Sequence, residues 1–419
     1  MVDTQNLQTK NPMRASFYIA LLVAFIDNMG VGLIYPLFSS MLFDSSLEIL
    51  PAQTSPEMRG FWLGLLIALM PISQFFSAPI WGALSDRKGR KSPLRISLAI
   101  ACLGYLTALA GVMLNNIILL LASRIIVGSA SGNISIVQAA IADMSKPEEK
   151  AKNFGLYGMA LGVGFTLGPF FGGMLSSWGY NIPFIFAALT TALNLVFAMF
   201  FFKETNALRL AQSIHWDTGL SHLKKAFSFK GLRTILLTSF LHNFAWSFFY
   251  EFAPVYLISA FSFSPVQIGT FYAVAGANYA LSTGLMLRPL SRFLKPQMLY
   301  FAGNLLTALA ILAMPSISSA LGIWLLMAFI CYFVALVAPT STTLISNGVS
   351  SQVQGEALGM LSSVNAIALG ISPLFSGSLV GAHPTLPMSV GGLAMLAAAF
   401  IVLAVFRTRL FSRESVKID

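Results

Sequence analysis

The sequence predicts an all-α membrane protein of twelve transmembrane helices in two pseudo-symmetric six-helix bundles. Three observations predict it: a composition too poor in charge to face water, twelve apolar stretches of spanning length, and basic residues that collect on one side of the resulting topology.

Of 419 residues, 56% are hydrophobic and 10% charged. Soluble domains carry roughly 25% charged residues, so lipid is the solvent for much of this surface. The net charge of +10 would point to nucleic acid in a soluble protein. Here its placement argues for membrane orientation instead, and no nucleic-acid partner is expected. Cys102 and Cys331 each lie in an apolar stretch and read as packing residues, with no disulfide framework or metal site.

A span needs about 20 mostly apolar residues. The first, 16–43, follows a polar stretch over 1–14 and is too long for the core of a cleavable signal. Next come 60–83, 94–114 and 117–142, the last two joined tightly at Asn115–Asn116, then 153–176 and 181–203. Residues 204–232, with His215, Trp216, Lys224 and Lys225, read as a cytoplasmic linker, either a surface amphipathic helix or a plain tether. The second half supplies 233–259, 266–288, 297–315, 320–343, 355–379 and 385–407, with a tight join at 316–319. The expected domains are 1–203, 204–232 and 233–419, the last ending in a short cytoplasmic tail.

Orientation follows from counting cations. Of the 25 Lys and Arg, Arg59 falls on one side and Arg124 within a span, while the other 23 share the side of both termini. The positive-inside rule makes that side the cytoplasm, with a bacterial inner membrane as the expected home. The halves also show weak internal similarity. A shift of 204 places Gly155, Pro169, Gly173 and Leu175 on Gly359, Pro373, Gly377 and Leu379, and a shift of 218 places Pro36 on Pro254.

The loop after the second span runs from Gly82 through Asp86, Arg87, Lys88, Gly89, Arg90 and Lys91 to Leu94. One carboxylate sits among four cations in a glycine-punctuated turn, where it can pair locally or reach a neighbouring helix end. The loop closely resembles the signature loop between helices 2 and 3 of the major facilitator superfamily. That resemblance implies a gating latch built from Gly82, Asp86, Arg87, Gly89, Arg90 and Lys91, which stabilises the outward-open state and breaks as the halves rock. Leu120 to Gly132, carrying Arg124, looks like the family's second motif. Gly164, Gly168, Pro169, Gly172 and Gly173 look like the helix-5 motif of its antiporter branch, where glycines allow close helix approach and Pro169 permits a bend. Phe25 to Pro36 resembles the opening helix of tetracycline/proton antiporters and their twelve-span drug-exporter relatives. The loop after the eighth span, Arg288 to Phe293, lacks both the glycines and the acid, so a second latch is expected to be degenerate.

Ionisable residues inside the spans are the sharpest functional signal, because burying a charge at a helix centre costs roughly 2.5–3.5 kcal/mol on insertion scales. Asp27 and Glu251 are the interior carboxylates, Arg124 the interior cation and His242 the interior histidine. Asp27, Arg124 and Glu251 are the proton-coupling candidates. The competing readings are an Asp27–Arg124 ion pair or packing hydrogen bond, an anionic substrate at Arg124, and a Glu251 that snorkels outward. His242 lies nine residues before Glu251, on nearly the opposite helix face, so a relay between them is not expected. Candidate cavity groups are Asn28, Gln74, Asn133, Gln138, His242, Asn243, Trp246, Asn278 and Asn365, each of which could equally bridge helices.

The expected function is proton-coupled export of a small organic or drug-like compound by alternating access. The expected partners are a small-molecule substrate, protons and the bilayer, and the expected state is a monomer. No cofactor is expected, the proton gradient being the expected drive; no phosphate-binding loop with a Gly-Lys-Ser or Gly-Lys-Thr ending is present to suggest direct ATP drive, and nothing suggests an enzyme site. The alternatives are uptake of a nutrient or siderophore through the same fold, and a membrane sensor that moves nothing.

Overall fold

The computed structural model describes residues 4–43, 47–146, 149–206, 221, 232–349 and 354–410. Beyond Asn206 the linker, apart from Ser221 and Leu232, lies outside the described residues, and with it the amphipathic-helix reading. Helices dominate because backbone polar groups in hydrocarbon must be satisfied within their own segment. In chain order they are α1 (Thr4–Ile34, resuming as Leu37–Phe43), α2 (Pro56–Lys88), α3 (Lys91–Met113), α4 (Ile117–Ala130 and Asn133–Met144), α5 (Lys150–Ser176) and α6 (Asn181–Phe200). The second half follows with α7 (Arg233–Tyr250 and Ala253–Phe261), α8 (Pro265–Leu281, continuing to Phe293), α9 (Pro296–Ala313), α10 (Ala320–Val334 and Val337–Asn347), α11 (Gln354–Ala382) and α12 (Leu386–Leu410).

Eleven of these are long and apolar enough to cross a bilayer by length and composition. The twelfth, α8, has 17 residues of α-helix, then a π-helical turn at Ser282–Met286, then Leu287–Phe293. Pro289 lacks the N–H that the Leu285 carbonyl would use, and a π turn is one way a helix absorbs such a loss. The tight joins are real turns. Asn116 accepts from Ile118 N (2.9 Å) and Leu119 N (3.2 Å) to start α4, after Asn115 turns the chain at φ +48°. Ser319 accepts from Gly322 N (3.1 Å) to start α10.

Four spans are broken, and they are the first and fourth of each half: α1 at Tyr35–Pro36, α4 at Ser131–Gly132, α7 at Glu251–Phe252 and α10 at Ala335–Leu336. Pro36 and Pro254 sit at corresponding breaks, which is where the shift of 218 placed them.

The chain forms two compact units. The first comprises Met1–Pro51, Ile72–Trp216 and Pro265–Thr270. Its core joins Ala20 and Val23 of α1, Leu94 and Leu98 of α3, Ile136 and Val137 of α4, and Phe202. The second comprises Ala52–Pro71, Asp217–Ser264 and Phe271–Asp419. Its core joins Ile235 and Leu236 of α7, Tyr300 of α9, Leu344 and Ile345 of α10, Met360 of α11 and Phe406 of α12. Within the first unit, Gly269 of α8 packs on Gly173 and the Pro169 carbonyl of α5; within the second, Gly64 of α2 packs on Gly377 and the Pro373 carbonyl of α11. Pro169 and Gly173 are the residues that the shift of 204 paired with Pro373 and Gly377. The outward faces carry exposed Leu103, Leu193, Leu325 and Phe400, as a lipid-facing surface does.

Candidate functional site

Asp27 lies on α1, two turns before its break, and is neither fully buried nor exposed. Its carboxylate accepts a hydrogen bond from Asn133 Nδ2, the first residue of α4 after that helix breaks. The break therefore places an amide donor against the acid. Asn133 Oδ1 is buried without a partner. The carbonyls freed at the α4 break are met by side chains of α2. Trp81 Nε1 donates to Ser129 O (2.6 Å), Ser77 Oγ to Gly128 O (3.2 Å) and Gln74 Nε2 to Ser131 O (3.5 Å). A side chain at Gly132 would strike the Trp81 ring. Gln74 thus supports the helix break that presents Asn133.

Arg124, on α4 before the break, is buried to 2% exposure. Its guanidinium lies 5.0 Å from the Phe38 ring centroid, its Nε faces Ser123 Oγ at 3.5 Å, and its Nη2 has no partner. No ion pair forms between Asp27 and Arg124, whereas Arg90 pairs with Asp86 and Asp143. Tyr105 Oη sits over Gly30, where a Cβ would come within 2.7 Å of it.

Gly164, Gly168 and Gly172 present one face of α5 to α1. A side chain there would collide with the carbonyl oxygens of Phe25, Met29 and Leu33, so the three glycines fix the turns that carry Asp27. Gly173 faces α8 instead, and Pro169 lies inside the helix against Gly32. Asn28 donates to Ala24 O of its own helix (3.2 Å), and Gln138 is exposed.

In the second unit the polar groups form a neutral network. His242 Nδ1 lies 3.0 Å from Asn304 Oδ1, while Asn304 Nδ2 donates to Tyr300 O at 2.8 Å. That second bond fixes the amide orientation, so Oδ1 accepts and His242 carries its proton on Nδ1. Tyr300 Oη is 3.1 Å from both Ser239 Oγ and Thr238 Oγ1. Asn243 Nδ2 donates to Asn365 Oδ1 (3.0 Å) and to Ser239 O (2.9 Å). Trp246 stacks on Tyr250 at 5.2 Å, and Asn278 donates to Val274 O of its own helix (2.9 Å). Glu251 is buried at the α7 break.

At the loop between α2 and α3, Arg90 ties helix ends together. Its Nη1 donates to Asp86 Oδ1 (2.5 Å) and Ser85 Oγ (2.7 Å), and its Nε to Asp143 Oδ2 (2.9 Å) at the end of α4. Burial opposes the Arg90 charge, but the two carboxylates outweigh it and hold the guanidinium above its ordinary value. Glu204, just past α6, accepts from Arg90 N (2.7 Å), Lys91 N (3.2 Å), Thr205 N (3.1 Å) and Asn206 N (3.0 Å). Partial burial pushes its carboxyl up, yet these four N–H groups win and hold it below the usual range. Gly89 turns the chain at φ +88°, directly against Glu204, where a side chain would clash. Nothing within 4 Å explains Gly82 by crowding, and Arg87 carries no ion pair among the described residues.

Sequence reasoning missed Asp143, Glu204, Trp81, Asn304 and Tyr105. The first two are acids beside span ends, and pairing them with the basic loop was the available signal. Among the described residues no cluster of three or more His, Cys, Asp or Glu could hold a metal ion.

Comparison with known proteins agrees with this architecture. The chain is 28% identical to the class G tetracycline resistance protein of Vibrio anguillarum over 414 residues, 95% of this chain and 100% of that one. It is 25% identical to the quinolone resistance protein NorA of Staphylococcus aureus over 397 residues, 93% and 96% of the two chains. The fold matches a D-xylose–proton symporter with a TM-score of 0.75 at 17% identity, covering 93% of this chain and 96% of that one. It also matches a bacterial homologue of the human lysosomal transporter Spinster with a TM-score of 0.67 at 16% identity, covering 97% and 99%. At those identities the likeness is one of fold alone. The Major Facilitator Superfamily model matches residues 20–373, and the chain is therefore a membrane transporter belonging to that superfamily.

Proposed function

We propose that this transporter exports a small organic compound in exchange for protons, as a monomer in a bacterial inner membrane with both termini cytoplasmic. The proton gradient drives it, without a bound cofactor. The observation that carries the reading is Asp27. It is a carboxylate within an apolar helix, held by one neutral donor at a helix break and unpaired with any cation among the described residues. Such a group can exchange between ionised and protonated forms as its surroundings open to either side. Resemblance to tetracycline and quinolone resistance proteins over nearly the whole chain supports export over uptake. Glu251, buried at the corresponding break in α7, is the second carboxylate in the proposed cycle. The Asp86–Arg90–Asp143 cluster sets how readily the cytoplasmic helix ends rearrange.

The test is substrate flux in proteoliposomes of known orientation with an imposed pH gradient. Asp27→Asn is expected to abolish gradient-driven flux while substrate binding survives. Normal coupled flux in that variant would remove Asp27 from the cycle. Accumulation in the opposite direction would replace export by uptake.

A further inference from the structure

Arg124 combines three features that a purely structural arginine does not share. It is buried, its Nη2 is without a partner, and no carboxylate pairs with it among the described residues. Leaving an ionised group buried and unpaired is strongly unfavourable, so an anion drawn to this point would find a large gain waiting. The Phe38 ring supplies part of the missing stabilisation from one face. That ring is itself fully buried, with Phe184 at 6.3 Å behind it, so the cushion is fixed. With one face covered by Phe38, the unpartnered Nη2 edge in the guanidinium plane is what remains to receive an anion. A planar two-oxygen acid matches that edge, because an arginine fork binds carboxylates through paired N–H donors.

We propose that Arg124 is the substrate's anion site. It takes a carboxylate, or an oxyanion delocalised over two oxygens, on an organic compound. This deepens the export reading and rests on it for the word substrate; binding itself can be tested without any gradient. Asp27 stays available for protons, because its own partner is Asn133.

The experiment measures equilibrium binding of 1-naphthoate and 1-naphthamide to the purified full-length protein in detergent, by calorimetry and thermal shift. The two probes share an aromatic body and differ in charge. Wild type is expected to prefer the acid by roughly 10-fold or more, as paired charge-assisted bonds allow. Arg124→Gln is expected to erase the preference. Arg124→Lys, which keeps a charge and loses the fork, should fall between them. Equal affinity of wild type for both probes, no measurable naphthoate binding, or acid preference intact in Arg124→Gln each overturns the proposal. If Arg124→Gln fails to fold, the wild-type comparison and the lysine variant still decide it. Acid-selective binding in a protein that shows no proton-driven flux would keep the anion site and remove the export reading; coupled flux without acid preference would do the reverse.

Discussion

The two halves of the chain break the same helices but arm them differently. In the first half, besides the neutral side chains that hold the α4 break, the broken helices carry ionisable groups, Asp27 against Asn133 and an Arg124 without a carboxylate partner, and the α2–α3 loop holds Arg90 between Asp86 and Asp143. In the second, apart from Glu251, the polar groups around the breaks are neutral: His242 on Asn304, Tyr300 on Ser239 and Thr238, and Asn243 on Asn365. The loops after α2 and α8 repeat the contrast. Arg90 is bound by two acids, whereas Arg292 at the end of α8 is exposed and forms no ion pair among the described residues. Equal folds therefore do not imply equal work. Ionised groups respond to protons and charged ligands, and a satisfied neutral network chiefly holds helices in register.

The sharpest way to break this contrast is Arg90→Ala. It leaves Asp86 and Asp143 as neighbouring unpaired acids and removes the tie between the ends of α2 and α4. We expect a loss of about 2–3 kcal/mol in unfolding experiments and a turnover reduced at least ~10-fold, since removing one member of a partly buried ion cluster strands the others. A variant that melts and turns over like wild type would erase the difference between the halves. Next comes Asn304→Ala, which strands the His242 Nδ1–H in the second unit. Interhelical hydrogen bonds in membranes average only about 0.6 kcal/mol, and the orphaned donor adds to that, so about 1–2 kcal/mol is expected. Coupled transport should survive. Its loss would show that the neutral network takes part in coupling.

Much of this was legible in the sequence because the governing physics is local. Hydropathy gave the spans, and the basic loop and helix-5 glycines stood at fixed spacings. The helix breaks were less legible. Prolines mark Pro36 and Pro254, but the α4 break depends on Trp81, Ser77 and Gln74 reaching across from α2, roughly fifty residues away in the chain. Amides could not be sorted from sequence. Gln74, Asn243 and Asn365 prove to bridge helices, while Asn28 and Asn278 bond their own helix and Asn133 alone meets the acid. Which amide meets which group is a long-range packing outcome with no local signature.

Two smaller tests probe the loops. Glu204→Gln keeps the shape of the cap but removes its charge from four backbone donors. The expected loss is below about 1 kcal/mol for a half-exposed group. Its pH signature is more telling than its size. The folded-state carboxyl is held below the unfolded value near 4.5, so its contribution is complete above that value and disappears as pH falls through the lower folded value. Melting curves of wild type and Glu204→Gln should therefore differ at pH 7 and converge in acid. A constant gap from pH 7 to pH 3 would show that shape, and not charge, makes the cap. The smallest effect belongs to Arg292→Ala. Its side chain is exposed, so neither melting nor turnover should move by more than about 0.5 kcal/mol. A tenfold fall in turnover there, with folding intact, would mean that Arg292 finds an acidic partner at another stage of the cycle, and the second loop would then be a working latch whose acid lies elsewhere in the chain.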